Sequence, residues 1–115
     1  MGQPSSAERR RAPRIEADLP LTLTARDAGA PAHLKDLSEL GLCCTFPEPV
    51  PEMTLVRVGL EIESQVHDLD GAVVRCEREP KDGWEVAIYF TGMDDAARSA
   101  IGTFVKSRVP NTAGA

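Results

Sequence analysis

Val56-Arg57-Val58-Gly59-Leu60-Glu61-Ile62 is the stretch on which the fold turns. Every second residue is aliphatic, and the residues between are charged or glycine. A period of two places Val56, Val58, Leu60 and Ile62 on one face of a strand and Arg57, Gly59 and Glu61 on the other. Such a strand needs a core beneath it and partners on both edges. Downstream, Val66 onward reads as its partner after a short turn. Asp70-Gly71 then interrupts before a strand over Ala72 to Arg78, and a turn at Pro80 to Gly83 leads to the alternating Trp84, Val86, Ile88 and Phe90, a core stripe.

Upstream, Leu19, Leu21, Leu23 and Ala25 share one face of another strand, with a turn expected at Asp27 to Pro31. A strand follows over Ala32 to Leu37. The next points Leu40, Leu42, Cys44 and Phe46 inward and ends at Pro47, Pro49 and Pro51, so the adjacent Cys43 and Cys44 face opposite ways. After Gly92 the period lengthens. Asp94 is placed to cap a helix with Ala97, Ile101, Phe104 and Val105 on one stripe, and Pro110 ends it. About six short strands followed by one helix predict a mainly β protein, a small antiparallel barrel with the helix over its end or side. Closing the sheet removes its exposed edges.

The chain has 115 residues, the size of one domain, which argues against a second catalytic module or a cleft between domains. Hydrophobic residues at 42% and charged residues at 27% fit a globular protein and not a disordered one. No apolar run reaches bilayer-spanning length, and MGQPSSAERRR lacks the apolar segment of a secretory signal, so a cytoplasmic location is expected. Cys43, Cys44 and Cys76 form no even-numbered disulfide framework and no CxxC knuckle, and reduced thiols are expected. His33 and His67 each stand apart from a second ligand, so neither metal nor cofactor is expected. No nucleophile sits near a base, and nothing points to an enzyme.

The net charge of −5 is unevenly spread: residues 8–14 carry +3 and the rest −8. An acidic body with one basic arm does not suit the coating of nucleic acid, which needs a positive face matched to many phosphates. It suits a small anionic ligand. Within Arg10-Arg11-Ala12-Pro13-Arg14 the proline forbids a continuous helix, which leaves an irregular arm. Arginine there can fork onto phosphate oxygens, match guanine O6 and N7, or stack on a base. A solvated charge run near a terminus is the plainer alternative.

The second chemistry-bearing segment is Asp36-Leu37-Ser38-Glu39-Leu40-Gly41. Extended, it turns Asp36 and Ser38 to one side and Leu37 to the core. The carboxylate can accept the N–H donors of a guanine edge or hold an arginine, with the hydroxyl beside it. Gly41 lets ligand or backbone approach closely. The plainer alternative is a turn in which Asp36 and Ser38 satisfy local backbone groups.

Together, the segments resemble the RxxxR and D/NxSxxG signature of the PilZ domain, a bacterial receptor family for the second messenger cyclic di-GMP. The likeness covers roughly residues 8–108 and includes ERRRAPRIEADLPLTL, the Gly71-Ala-Val-Val-Arg75 strand and the strand from Val86 to Phe90. It implies a six-stranded barrel with a C-terminal helix, a flexible tail over 1–8, an arginine arm over 9–14, a barrel over about 19–91, a helix over about 94–108 and a frayed tail over 109–115. By position, Arg10 and Arg14 would grip phosphates and guanine faces, Asp36 and Ser38 would bond a guanine edge, and Gly41 would keep the backbone close. Arg9, Arg11 and Arg75 are further candidates, with Arg75 equally readable as an exposed strand residue. The function implied is a receptor and adaptor whose arm orders around cyclic di-GMP and which signals through a downstream protein. Two alternatives stand beside it: a PilZ-fold interaction module without ligand, and a barrel binding single-stranded nucleic acid, against which the aromatic content of 4% argues.

Overall fold

The structure, a computed structural model, describes residues 13–26 and 28–108. Among the described residues, seven strands precede one helix: β1 (Ile15–Glu16), β2 (Pro20–Ala25), β3 (Ala28–Leu37), β4 (Gly41–Phe46), β5 (Leu55–Ile62), β6 (Gln65–Arg78), β7 (Trp84–Gly92) and α1 (Asp95–Arg108). All pairings are antiparallel, in the order β3-β2-β5-β6-β7-β4, and β4 returns to β3 to close a six-stranded barrel. β1 adds two rungs to β3, Ile15 opposite Leu37 and Glu16 opposite Asp36.

The alternation in β5 carries through: Val56, Val58, Leu60 and Ile62 are all buried, and they meet Leu21, Leu23, Leu34, Leu37, Leu69, Val73, Val86 and Ile88 in one core. β5 and β6 join through Glu63 and Ser64, at φ 53° and 68°. That is a two-residue hairpin whose backbone twist matches the flanking strands.

Three local expectations are corrected. Asp70-Gly71 does not separate two strands, because β6 runs unbroken for 14 residues with register shifts at Asp70/Gly71 and Val73/Arg75. A Cβ on Gly71 would lie 2.5 Å from the Ile88 side chain, so this glycine lets β6 bend across β7 instead of ending it. The β2–β3 turn is tighter than Asp27 to Pro31: Ala25 pairs with Ala28, Arg26 takes φ 55°, and Pro31 lies within β3 opposite Thr22. Proline is tolerated there because the ladder to β4 begins only at His33–Thr45. Leu40 is 39% exposed and not inward-facing, since the chain is still turning before β4 starts at Gly41. Cys43 faces away from Cys44 as expected, and both are buried, Cys43 on the outer face where Glu85 lies against it.

Asp94 caps α1: its Oδ1 accepts the Ala97 N–H at 2.8 Å. Ala97, Ile101 and Val105 are buried in the barrel core, with Phe104 partly buried. β7 runs towards the barrel end that carries the β3–β4 turn and the β5–β6 hairpin, and the helix closes that end. Gly102 lies beneath Glu39, whose carboxyl carbon is 3.9 Å from where a glycine Cβ would stand. The helix and the Asp36 to Gly41 segment are therefore neighbours.

Candidate ligand-binding face

The short β1–β3 ladder brings the arm to the second segment. With Glu16 opposite Asp36, the chain just before β1 runs beside the end of β3, and Arg14 Nη1 donates to Asp36 Oδ1 at 3.3 Å. Leu37 is fully buried between Asp36 and Ser38, as its place in the motif requires. Arg10, Arg9 and Arg11 lie outside the described residues, as do residues 1–8 and 109–115.

Ser38 is not presented to solvent beside Asp36. Its side chain is buried, and its Oγ accepts the N–H groups of Leu40 at 3.1 Å and Gly41 at 3.2 Å while donating to the Gly41 carbonyl at 3.3 Å. The Ser38 N–H also donates to the Gly41 carbonyl, at 2.8 Å. A hydroxyl has one donor and two acceptor sites, and all are used in the turn. Gly41 is required by backbone packing: its Cβ would fall 2.2 Å from the Ile88 carbonyl oxygen on β7. These two residues build the turn that holds β4 against β7, so of the signature positions Asp36, Ser38 and Gly41 it is Asp36 that presents an outward polar side chain, near the exposed Glu39.

Register extends the face beyond the motifs. Asp36 on β3 lies opposite Cys43 on β4, Cys43 opposite Ala87 on β7, and Ala87 opposite Arg75 on β6. One row therefore runs from the Arg14–Asp36 pair across small side chains to a second guanidinium. A parallel row holds Gly41, Tyr89 and Ala72, of which Tyr89 is half exposed. On the other side stand Thr45, Glu85 and Glu77.

Glu85 is the hub of that border. Its Oε2 accepts the Cys43 thiol at 3.0 Å and lies 3.5 Å from Lys35 Nζ and 3.6 Å from Arg75 Nη2. Lys35 also bonds Glu79 at 3.0 Å. Burial, and then the hydrogen bond to Glu85, pushes the Cys43 thiol up to about 12, so it stays protonated as a donor. The thiol bond, with Lys35 and Arg75 adding to it, holds the Glu85 carboxyl below its ordinary range. The hydrogen bond to Glu79 raises Lys35 above its ordinary value. None of Cys43, Glu85, Lys35 or Tyr89 was a candidate from sequence, because strand register, with its shifts at Leu34/Asp36 and Val73/Arg75, is what brings them together.

A concavity borders this face among the described residues, lined by Glu16, Asp18, His33 and Lys35. One groove of about 360 Å³ runs between residues 25–30 and 46–54, at the barrel end opposite the helix. The Arg14 and Asp36 side chains are both accessible from solvent, at 56% and 29% exposed. Among the described residues no group of three or more His, Cys, Asp or Glu side chains is placed to hold a metal ion. No helix among them is long and apolar enough to cross a membrane.

The PilZ domain family model matches residues 8–107. The chain belongs to the PilZ domain family. Solved structures agree on the fold. The PilZ domain of Escherichia coli YcgR with c-di-GMP superposes with a TM-score of 0.65 at 17% identity, over 87% of this chain and 91% of that one. MotI/DgrA of Bacillus subtilis, an inhibitor of motility, gives 0.77 at 13% identity over 87% of this chain and 51% of its own. The MrkH–c-di-GMP complex of K. pneumonia gives 0.71 at 16% identity over 86% and 52%. This PilZ chain thus spans about half the length of MotI and MrkH. Comparison with curated proteins gave no match.

Proposed function

We propose that this PilZ domain is a non-enzymatic receptor for cyclic di-GMP, binding it on the outer face of β3, β4, β7 and β6. The observation that carries the reading is the Arg14–Asp36 pair at one end of an open row that has Arg75 at the other. Adjacent strands lie about 4.8 Å apart, so the path along the curved sheet from Asp36 to Arg75 is about 14 Å. Between them Cys43 and Ala87 present little bulk. The guanidinium of Arg14, already oriented by Asp36, offers a fork to a phosphate or to guanine O6 and N7, and the second Asp36 oxygen accepts from guanine N–H donors. Arg10, four positions before Arg14, supplies a second guanidinium from the arm, with Arg9 and Arg11 beside it. Ser38 and Gly41 act through the turn that fixes Asp36. Arm and barrel together then form a surface for a downstream partner protein, and the chain carries no chemistry of its own.

Isothermal titration with cyclic di-GMP, cyclic di-AMP and GTP tests this. Binding of cyclic di-GMP in clear preference to the other two is expected, because adenine reverses the exocyclic group that Arg14 and Asp36 address. No heat from folded protein, or equal affinity for the adenine analogue, would overturn it.

A further inference from the structure

We propose that Glu85 sets the affinity of this face by occupying its cations in the ligand-free protein. The inference rests on the reading above and adds a residue outside both sequence motifs. Glu85 stands one row from Asp36, Cys43, Ala87 and Arg75, and it reaches three strands at once: the Cys43 thiol at 3.0 Å, Lys35 at 3.5 Å and Arg75 at 3.6 Å. The side chain is 27% exposed, and that of Arg75 is 45%. A phosphate arriving on the row therefore meets Arg75 already engaged by a carboxylate, and it must displace or share that partner. The thiol bond keeps Glu85 in place because Cys43 is buried and directed outward under it. Glu85 acts on the ligand through Arg75 and Lys35. It is a positioning residue that opposes binding.

The consequence is an uncommon sign: removing a side chain beside the site tightens binding. Glu85→Gln keeps the shape and an acceptor for Cys43 while removing one carboxylate charge from both cations, with Lys35 keeping Glu79 at 3.0 Å and Arg75 keeping Glu77 at 3.9 Å. Partly exposed ion pairs are weak, so the gain in cyclic di-GMP affinity is roughly two- to tenfold. Arg75→Ala costs little in the wild type, where Glu85 masks the guanidinium, and more in the Glu85→Gln background. A double-mutant cycle of wild type, both single variants and the pair, titrated with cyclic di-GMP, reads this coupling. Melting temperatures of the ligand-free proteins check that each variant is folded, and Glu85→Ala serves if the glutamine variant is not. Tighter binding by Glu85→Gln together with a larger Arg75→Ala penalty in its background supports the proposal. Wild-type binding that Glu85→Gln leaves unchanged or weakens overturns this proposal alone. Absence of binding in every folded variant overturns the receptor reading and this proposal with it.

Discussion

Gly41→Ala separates a glycine kept for the fold from one kept for the ligand. The new Cβ would stand 2.2 Å from the Ile88 carbonyl oxygen, 3.2 Å from its carbon and 3.3 Å from Tyr89 Cα. All three are backbone atoms of β7, held by the Gly41–Tyr89 and Leu42–Ile88 rungs, so no side chain can rotate away. Gly41 is not among the positive-φ glycines, and alanine adopts its conformation without torsional penalty. The cost is therefore a forced separation of β4 from β7 of the order of an ångström. Overpacking of this kind costs about 3 kcal/mol, and the reduced freedom of the unfolded chain returns somewhat under 1, for a net loss of about 2 kcal/mol. For a domain of this size that is a fall in melting temperature of about 8 °C. Differential scanning calorimetry of the ligand-free protein measures it. Gly92→Ala is the control, because its Cβ meets nothing closer than 3.5 Å. An unchanged melting temperature in Gly41→Ala with cyclic di-GMP binding abolished would refute the reasoning and make Gly41 a ligand-approach residue.

Ser38→Ala removes the acceptor of two part-buried N–H bonds in the turn and should lower stability by about 1 kcal/mol in urea unfolding, whereas a purely ligand-facing serine would leave stability intact. Asp94→Ala removes the α1 cap and should cost about 1 kcal/mol by the same assay. Stability should also fall with alkali: burial raises the Cys43 and Cys44 thiols from 9.0 to about 12. Ionisation of those thiols in the unfolded chain lowers stability by up to about 1.4 kcal/mol per thiol for each pH unit across that window. Urea midpoints at about pH 8 and about pH 10 check the direction, and Cys44→Ala, referred to its own midpoint at about pH 8, should lose less than wild type.

Much of this fold was legible because its signals are local. Val56 to Ile62 and Trp84 to Phe90 alternate cleanly, and Asp94 with the Ala97, Ile101 and Val105 stripe marks a capped helix. Where reading failed, the deciding contact was remote. Gly71 looks like a strand breaker until Ile88 is seen packed where its Cβ would be, and Pro31 looks like a turn residue until the β4 ladder is seen to stop short of it. The candidate face divides the same way. Both motifs could be read along the chain, and their meeting through Arg14 and Asp36 follows from two β1–β3 rungs. Ser38 was half legible: its spacing from Asp36 is a surface pattern, but its hydroxyl belongs to the turn. Cys43 and Glu85 are 42 residues apart and carry no sequence signal of contact.

The location of the ligand is the central claim, and backbone amide shifts recorded during titration with cyclic di-GMP test it most directly. The expected result is a contiguous set of large shifts at Arg14, Asp36, Gly41, Cys43, Ala87 and Arg75, with residues 25–30 and 46–54 at the opposite barrel end unmoved. Large shifts confined to that opposite groove, with the Arg14–Asp36 face silent, would contradict the account.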